Sequence, residues 1–267
     1  MIAKRYRAAA RFLCAGLFAV AGCREASVPA GGRGRVRVAA AADLNAALGE
    51  LIARFSATHA VDVSVSFGSS GTFYAQLLNR APYDLFLSAD VAYPRELARR
   101  GLTIADGEFV YGVGRMVLWT PVFSALDLEH AGLQALTDAS VKHVAIANPE
   151  HAPYGRAAVA AMQQAGVYDR VKPKIVVGEN VAQALQFVDS GAAEAGIVAR
   201  SLAVAPALKE KGRWIDIPQL LYPRIEQGGT ILRAAADVSS ARALRAFMLS
   251  AEGRAILTHY GFLLPEA

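Results

Sequence analysis

Ser66-Phe67-Gly68-Ser69-Ser70-Gly71-Thr72 closes one kind of pattern and opens another. Upstream, Val61, Val63, Val65 and Phe67 alternate with other residues at the period of a half-buried strand. Downstream, Phe73 and Leu77 stand one helical turn apart, so a helix is expected from Thr72. A helix start offers N–H groups without intrahelical partners at the positive end of the macrodipole. Two glycines let a ligand approach the main chain, and the serine hydroxyls add donors without adding charge. The stretch therefore predicts an anion cradle.

The same grammar runs outward in both directions. Residues 36–42 read as a short buried strand, followed by a helix with Leu44, Leu48, Leu51, Ile52 and Phe55 at helical spacing and Asp43 at the N-cap position. A strand at 84–88 leads to a helix after Asp90. The second half repeats the alternation, with strands at 143–147, 174–177 and 195–198 and helices from Pro153 and Val181. This implies an α/β protein with two lobes, each a mostly parallel sheet flanked by helices. Residues 109–119 read as an extended crossover and 227–232 as the return, which places one lobe at 35–119 and 229–267 and the other at 120–228. The helices at 244–249 and 253–260 are expected on the first lobe. A cleft between lobes, at the carboxyl ends of strands, is the usual ligand site of such sheets.

Residues 1–22 combine Lys4, Arg5, Arg7 and Arg11 with an apolar run from 12 to 21, a secretory signal too short for a membrane span. Small residues lead directly into Cys23, which predicts a lipidated first residue, with ordinary cleavage nearby as the alternative. Residues 23–34 then form a linker. Cys14 lies inside the signal, so the mature chain keeps at most one of its 2 cysteines and no internal disulfide. The signal also holds four of the 28 basic residues and none of the 23 acidic ones, leaving 24 against 23. The formal +5 thus reflects the leader, and a nucleic-acid partner loses its main support.

Four loops are placed to face the cleft: Ala41-Ala42-Asp43, Gly68-Ser69-Ser70-Gly71, Ala152-Pro153-Tyr154-Gly155 and Gly178-Glu179-Asn180-Val181. Each alone is what an ordinary helix cap looks like. Together they form a neutral, donor-rich pocket suited to a dehydrated oxyanion. His59, His130, His143, His151 and His259 lie far apart with no paired ligand spacing, so no metal-ion site is expected. A nucleophile elbow needs Gly-x-Ser-x-Gly, which Gly68-Ser69-Ser70-Gly71 lacks, and a serine hydrolase would need His151 to approach Ser70. No enzyme activity and no cofactor are expected.

Ala39-Ala40-Ala41-Ala42-Asp43-Leu44, Phe67-Gly68-Ser69-Ser70-Gly71-Thr72, Ala81-Pro82-Tyr83-Asp84-Leu85-Phe86-Leu87-Ser88-Ala89-Asp90 and residues 148–155 resemble, in order, the motifs of the periplasmic molybdate-binding proteins of ABC importers. The resemblance covers nearly all of residues 36–265. It implies a type II periplasmic binding fold, hinged by extended crossovers, that closes on molybdate or tungstate and delivers it to a membrane permease. It implies further that the protein is a monomer in the periplasm, held to the membrane through Cys23. Ser69 and Ser70 match the serines of the second loop, and Ser70 the binding serine; Tyr154 and Val181 match backbone donors of the third and fourth. A serine is common in the family where this chain has Ala42, and a tyrosine hydroxyl where it has Ala199, so both positions depart from the pattern. The Tyr154 ring is expected to swing in for the missing phenol, the amides of Ala42 and Asp43 to point at the anion, and the Asp43 carboxylate to cap its own helix. A sulfate- or phosphate-type carrier is the alternative, an inward Asp43 favouring phosphate; an exported serine hydrolase and a lipoprotein with a vestigial cleft stand behind it.

Overall fold

The computed structural model describes residues 33–265. The signal, Cys23 and most of the linker lie outside the described residues.

Ten strands form two five-stranded sheets. They are β1 (Gly34–Ala41), β2 (Val61–Gly68), β3 (Leu85–Ser88), β4 (Thr103–Gly114), β5 (Met116–Pro121), β6 (Val144–Ala147), β7 (Ile175–Gly178), β8 (Ala195–Ala199), β9 (Gly212–Asp216) and β10 (Ile225–Leu232). The first sheet has the order β2-β1-β3-β10-β4 and the second β7-β6-β8-β5-β9. In each, the first three strands pair in parallel, while the fourth is antiparallel to both neighbours. The reversed strand, β10 or β5, is the one that has just crossed from the other lobe. Four strands of each sheet therefore share a direction, as the alternating pattern requires.

Helices cover both sheets: α1 (Asn45–Thr58), α2 (Ser70–Leu78), α3 (Ala92–Arg99), α4 (Leu128–Ala131), α5 (Pro153–Gln164), α6 (Tyr168–Val171), α7 (Val181–Asp189), α8 (Arg200–Ala203), α9 (Val238–Leu249) and α10 (Ala251–His259). Val36, Val38 and Leu85 of the first sheet pack with Leu48, Leu51 and Phe55 of α1 and with Leu244, Met248 and Leu257 of α9 and α10. Ala39 and Phe86 face the other way, onto Phe73, Leu77 and Leu97 of α2 and α3. From Val38 to Ala41 both faces of β1 are buried, which is why that half is continuously apolar, whereas Arg35 and Arg37 alternate with Val36 in the first half. β2 is an edge strand, and its Phe67 remains 37% exposed despite completing the alternating pattern.

The sheets exchange earlier than the expected lobe boundaries at 119/120 and 228/229. β5 pairs within the second sheet from Met116, and β10 within the first from Ile225. Tyr111, Val113, Met116, Val117, Leu118 and Trp119 are all fully buried, so the apolar pattern runs on both sides of the single-residue crossing and Arg115 is the one charged residue that marks it. Beside this crossing, Val113 and Leu263 exchange backbone hydrogen bonds of 2.7 and 3.0 Å.

Candidate functional site

Four loops meet between the lobes around a small cavity lined by Ala41, Ala42, Asp43, Gly68, Ser69, Ser70, Ala89, Ala152, Pro153, Tyr154, Asn180 and Val181. Lysine, arginine and histidine are missing from this lining. All four expected loops supply residues to it, and the β3–α3 turn adds Ala89.

The helix caps decide which donors remain for a ligand. At α2, the Ser69 side chain accepts from Thr72 N–H at 3.3 Å, and Gly71 N–H donates across the cleft to the His151 carbonyl at 2.9 Å. That leaves the first amide, Ser70 N–H, at the cavity end. The Ser70 hydroxyl accepts from Ala89 N–H at 2.9 Å, so its acceptor side is occupied and its proton is available to a ligand. At α7, the Asn180 side chain takes the N–H groups of Ala182 and Gln183 at 3.0 and 3.1 Å, leaving Val181 N–H. At α5, Pro153 has no N–H and Gly155 donates to Ala152 O at 3.0 Å, leaving Tyr154 N–H. Each of these three helix starts therefore aims one unpaired N–H at the same small space, the arrangement that favours an anion. Ser69 itself is a cap, its hydroxyl also 2.8 Å from that of Thr72.

Asp43 departs from expectation. It sits inside a 3₁₀ turn, Ala42–Leu44, is fully buried, and makes no capping bond to α1. Its Oδ2 accepts from the Tyr154 hydroxyl at 3.1 Å and from the Gln227 amide, while Oδ1 has no partner. Gln227 belongs to β10 at a register shift between Gln227 and Gly228, a bulge of the kind that re-aims a side chain. The Tyr111 hydroxyl stands 2.8 Å from the Gln227 carbonyl and 3.0 Å from the Ser88 carbonyl, so its single proton is shared between two acceptors. Burial pushes the Asp43 carboxyl up, against hydrogen bonds from Gln227, Tyr154 and its own backbone N–H, to about 6. Burial and the nearby Asp43 charge also hold the Tyr154 hydroxyl well above its ordinary value, so it stays protonated.

Tyr154 therefore does not swing its hydroxyl in as a replacement phenol, because that proton is donated to Asp43. Ala199 is the other departure. It ends β8 opposite Met116, is fully buried in the second core, and does not line the cavity. The His151 ring lies 3.8 Å from the Glu150 carboxylate and is about half exposed, while the His151 carbonyl is what reaches α2. Among the described residues no group of His, Cys, Asp and Glu is placed to hold a metal ion, and no helix is long and apolar enough to cross a membrane.

Sequence reading missed Gln227, Tyr111, Ser201 and Arg156. Ser201 Oγ donates to the Asp43 carbonyl at 2.7 Å, tying α8 to the first loop. Asp90 accepts from Ala92 N–H at 2.9 Å through one oxygen, and its other oxygen pairs with Arg156 of α5 across the lobes at 2.7 Å. These partners stand 66 to 184 residues from the groups they meet, and no local signal announces them.

The family described as bacterial extracellular solute-binding protein matches residues 36–263. The chain is similar to the molybdate-binding protein ModA of Rhodobacter capsulatus, 37% identical over 94% of this chain and 96% of that protein. Its structure is similar to that of the Azotobacter vinelandii periplasmic molybdate-binding protein, with a TM-score of 0.81 and 31% identity over 86% of this chain and all of that one. The sulfate-binding protein SubI of Mycobacterium tuberculosis shares the fold alone, at a TM-score of 0.69 and 14% identity over 86% of each chain. Two sheets exchanging one strand each, three helix starts and a 3₁₀ turn on one cavity, and these similarities together establish that the chain belongs to the bacterial extracellular solute-binding proteins and, among them, to the group of the molybdate-binding proteins.

Proposed function

We propose that the protein captures molybdate or tungstate between its lobes and delivers it to an ABC permease. The observation that carries this reading is a small cavity whose donors are all uncharged. Ser70 gives a hydroxyl proton, and Ser70, Tyr154 and Val181 give backbone N–H groups. A tetrahedral dianion has acceptors only, so a site made of donors suits it without a counter-cation. Donors from both lobes make the closed arrangement the better binder, and that difference in affinity is what lets a ligand shift the population. The similarity to molybdate-binding proteins supports the same solute class. The reading extends to a monomer tethered in the periplasm through Cys23, and to Asp43 as part of the oxyanion loop. Ala42 and Ala199 add no hydroxyl, and Ala199, away from the lining, has no direct role.

A phosphate-type carrier is the second reading, favoured by one observation: the Asp43 carboxyl lies at the cavity, where it can accept from a protonated oxyanion. Thermal unfolding of the mature chain with molybdate, tungstate, sulfate and phosphate at matched ionic strength separates the two. A ligand at 100 times its Kd adds about 2.7 kcal/mol, about 5–11 °C for a chain of this size. A rise with molybdate and tungstate is expected, and a rise with phosphate alone would replace this reading by the second.

A further inference from the structure

Of the residues lining the cavity, Asp43 supplies the carboxylate, and one of its oxygens is left over. Oδ2 is taken by Tyr154 and Gln227, and Oδ1 is buried without a partner. A buried polar atom without a partner calls for an explanation. An ionised Asp43 would also repel the dianion that the surrounding donors are arranged to hold.

We propose that Asp43 binds the oxyanion as a neutral carboxylic acid: as the dianion enters, Oδ1 takes one proton from solvent and donates it to an oxygen of the ligand. This rests on the oxyanion reading of the cavity and assigns the first loop a donor that Ala42 lacks. Two fixed donors hold Oδ2 as an acceptor, so the proton is directed to Oδ1 and not shared between the oxygens. With its NH₂ toward Asp43 Oδ2, the Gln227 amide points its carbonyl at the Tyr111 hydroxyl. Ser70 and Val181 complete the ring of donors around the same space.

No neighbouring charge offers a simpler compensation. The 3₁₀ turn packs against α1, α7 and α8. On α8, Arg200 pairs with Asp216 and lies over the Trp214 ring. On α7, Asp189 pairs with Lys211 at 3.0 Å. On α1, Glu50 engages Tyr260. From α5 and β4 the facing titratable groups are Tyr154 and Tyr111, both kept protonated by burial. Burial has already raised the Asp43 carboxyl to about 6, and the ligand must carry it well above 7.5 for the acid to be neutral in the complex at that pH.

The test is titration calorimetry of the mature protein with sodium molybdate at pH 7.5, in two buffers of different ionisation enthalpy. Uptake of close to one proton per molybdate is expected, and affinity should fall about tenfold per pH unit above 7, where molybdate itself stays a dianion. In Asp43→Asn, the side-chain carbonyl can accept from Tyr154 and Gln227 while its NH₂ replaces the acid proton, so uptake should vanish and affinity become flat with pH. Molybdate binding by the native protein without proton uptake overturns the proposal and leaves the oxyanion site standing; that count needs no variant. Binding of inorganic phosphate with no proton taken up makes Asp43 an acceptor and overturns it equally. A native chain that binds neither molybdate nor tungstate overturns the oxyanion reading and this proposal together.

Discussion

Ser70 shows how one hydroxyl can be committed and free at once: its oxygen holds Ala89 N–H at 2.9 Å while its proton points away from that bond. Replacing it by alanine removes a donor to a charged ligand and orphans the Ala89 amide. Ser70→Ala should therefore weaken molybdate binding by about tenfold to a hundredfold, measured by calorimetry, since such hydrogen bonds are worth about 1.5–3 kcal/mol. Asp43 carries a prediction on stability without any ligand. Its carboxyl rises from 3.8 unfolded to about 6 folded, so the folded state binds the proton more tightly. The contribution is fully present below pH 3.8 and lost as pH rises through 6, about 3 kcal/mol at its upper bound. Urea midpoints of the native chain relative to Asp43→Asn should fall across that window; a difference that stays constant with pH would show that Asp43 does not titrate there. Ser69, Ser70, Tyr154 and Val181 could be placed at the cavity from sequence because several strand-to-helix junctions recur at the carboxyl ends of strands, although each alone reads as an ordinary cap. Asp43 was misread because a capping aspartate and a buried one have the same local sequence, and only Gln227, 184 positions away, tells them apart.

Among elements, the caps link stability to the site. Asn180 satisfies two amides of α7 and thereby leaves Val181 N–H for the cavity. Asn180→Ala should cost about 1 kcal/mol and lower the midpoint of ligand-free unfolding by about 2–4 °C. A larger clasp sits at the start of β3. Asp84, fully buried, accepts from the Arg37 backbone at 2.7 Å, from the Arg37 guanidinium at 3.0 Å, and from Ala236 N–H at 2.8 Å. Burial pushes its carboxyl up, and those hydrogen bonds more than offset the push, holding it below the usual range. Asp84→Ala should lower stability by about 3 kcal/mol, read as a urea midpoint, with the oxyanion affinity of the folded fraction unchanged. The parallel strands β1, β2, β3, β6, β7 and β8 were legible to within about two residues, since strand and helix periods alternate cleanly there. β9, α4, α6 and α8 went unread, α9 begins at Val238 and not near 244, and in the run through Arg115 two strands of different sheets share one apolar pattern.

For the whole molecule, closure depends on backbone meeting backbone. Gly71 N–H reaches His151 O from the other lobe, and a Cβ on Gly71 would stand 2.5 Å from that oxygen and 2.9 Å from the Tyr93 hydroxyl. Gly71→Val should thus hold the lobes apart and weaken ligand binding at least tenfold, about 1.4 kcal/mol, while leaving ligand-free unfolding nearly unaltered. Equal affinity in that variant would mean that closure does not require this contact.

The pairing of Val113 with Leu263 has a consequence for handling the protein. The tail is a splint on the strand that leads into the crossing, and its backbone is bonded to Val113 of β4, two residues before Arg115. An optical reporter built by fusing a fluorescent domain immediately after Leu263 would pull on that splint and register strain in place of solute. A dye on the outer surface of α7, away from both crossings, would leave the articulation untouched.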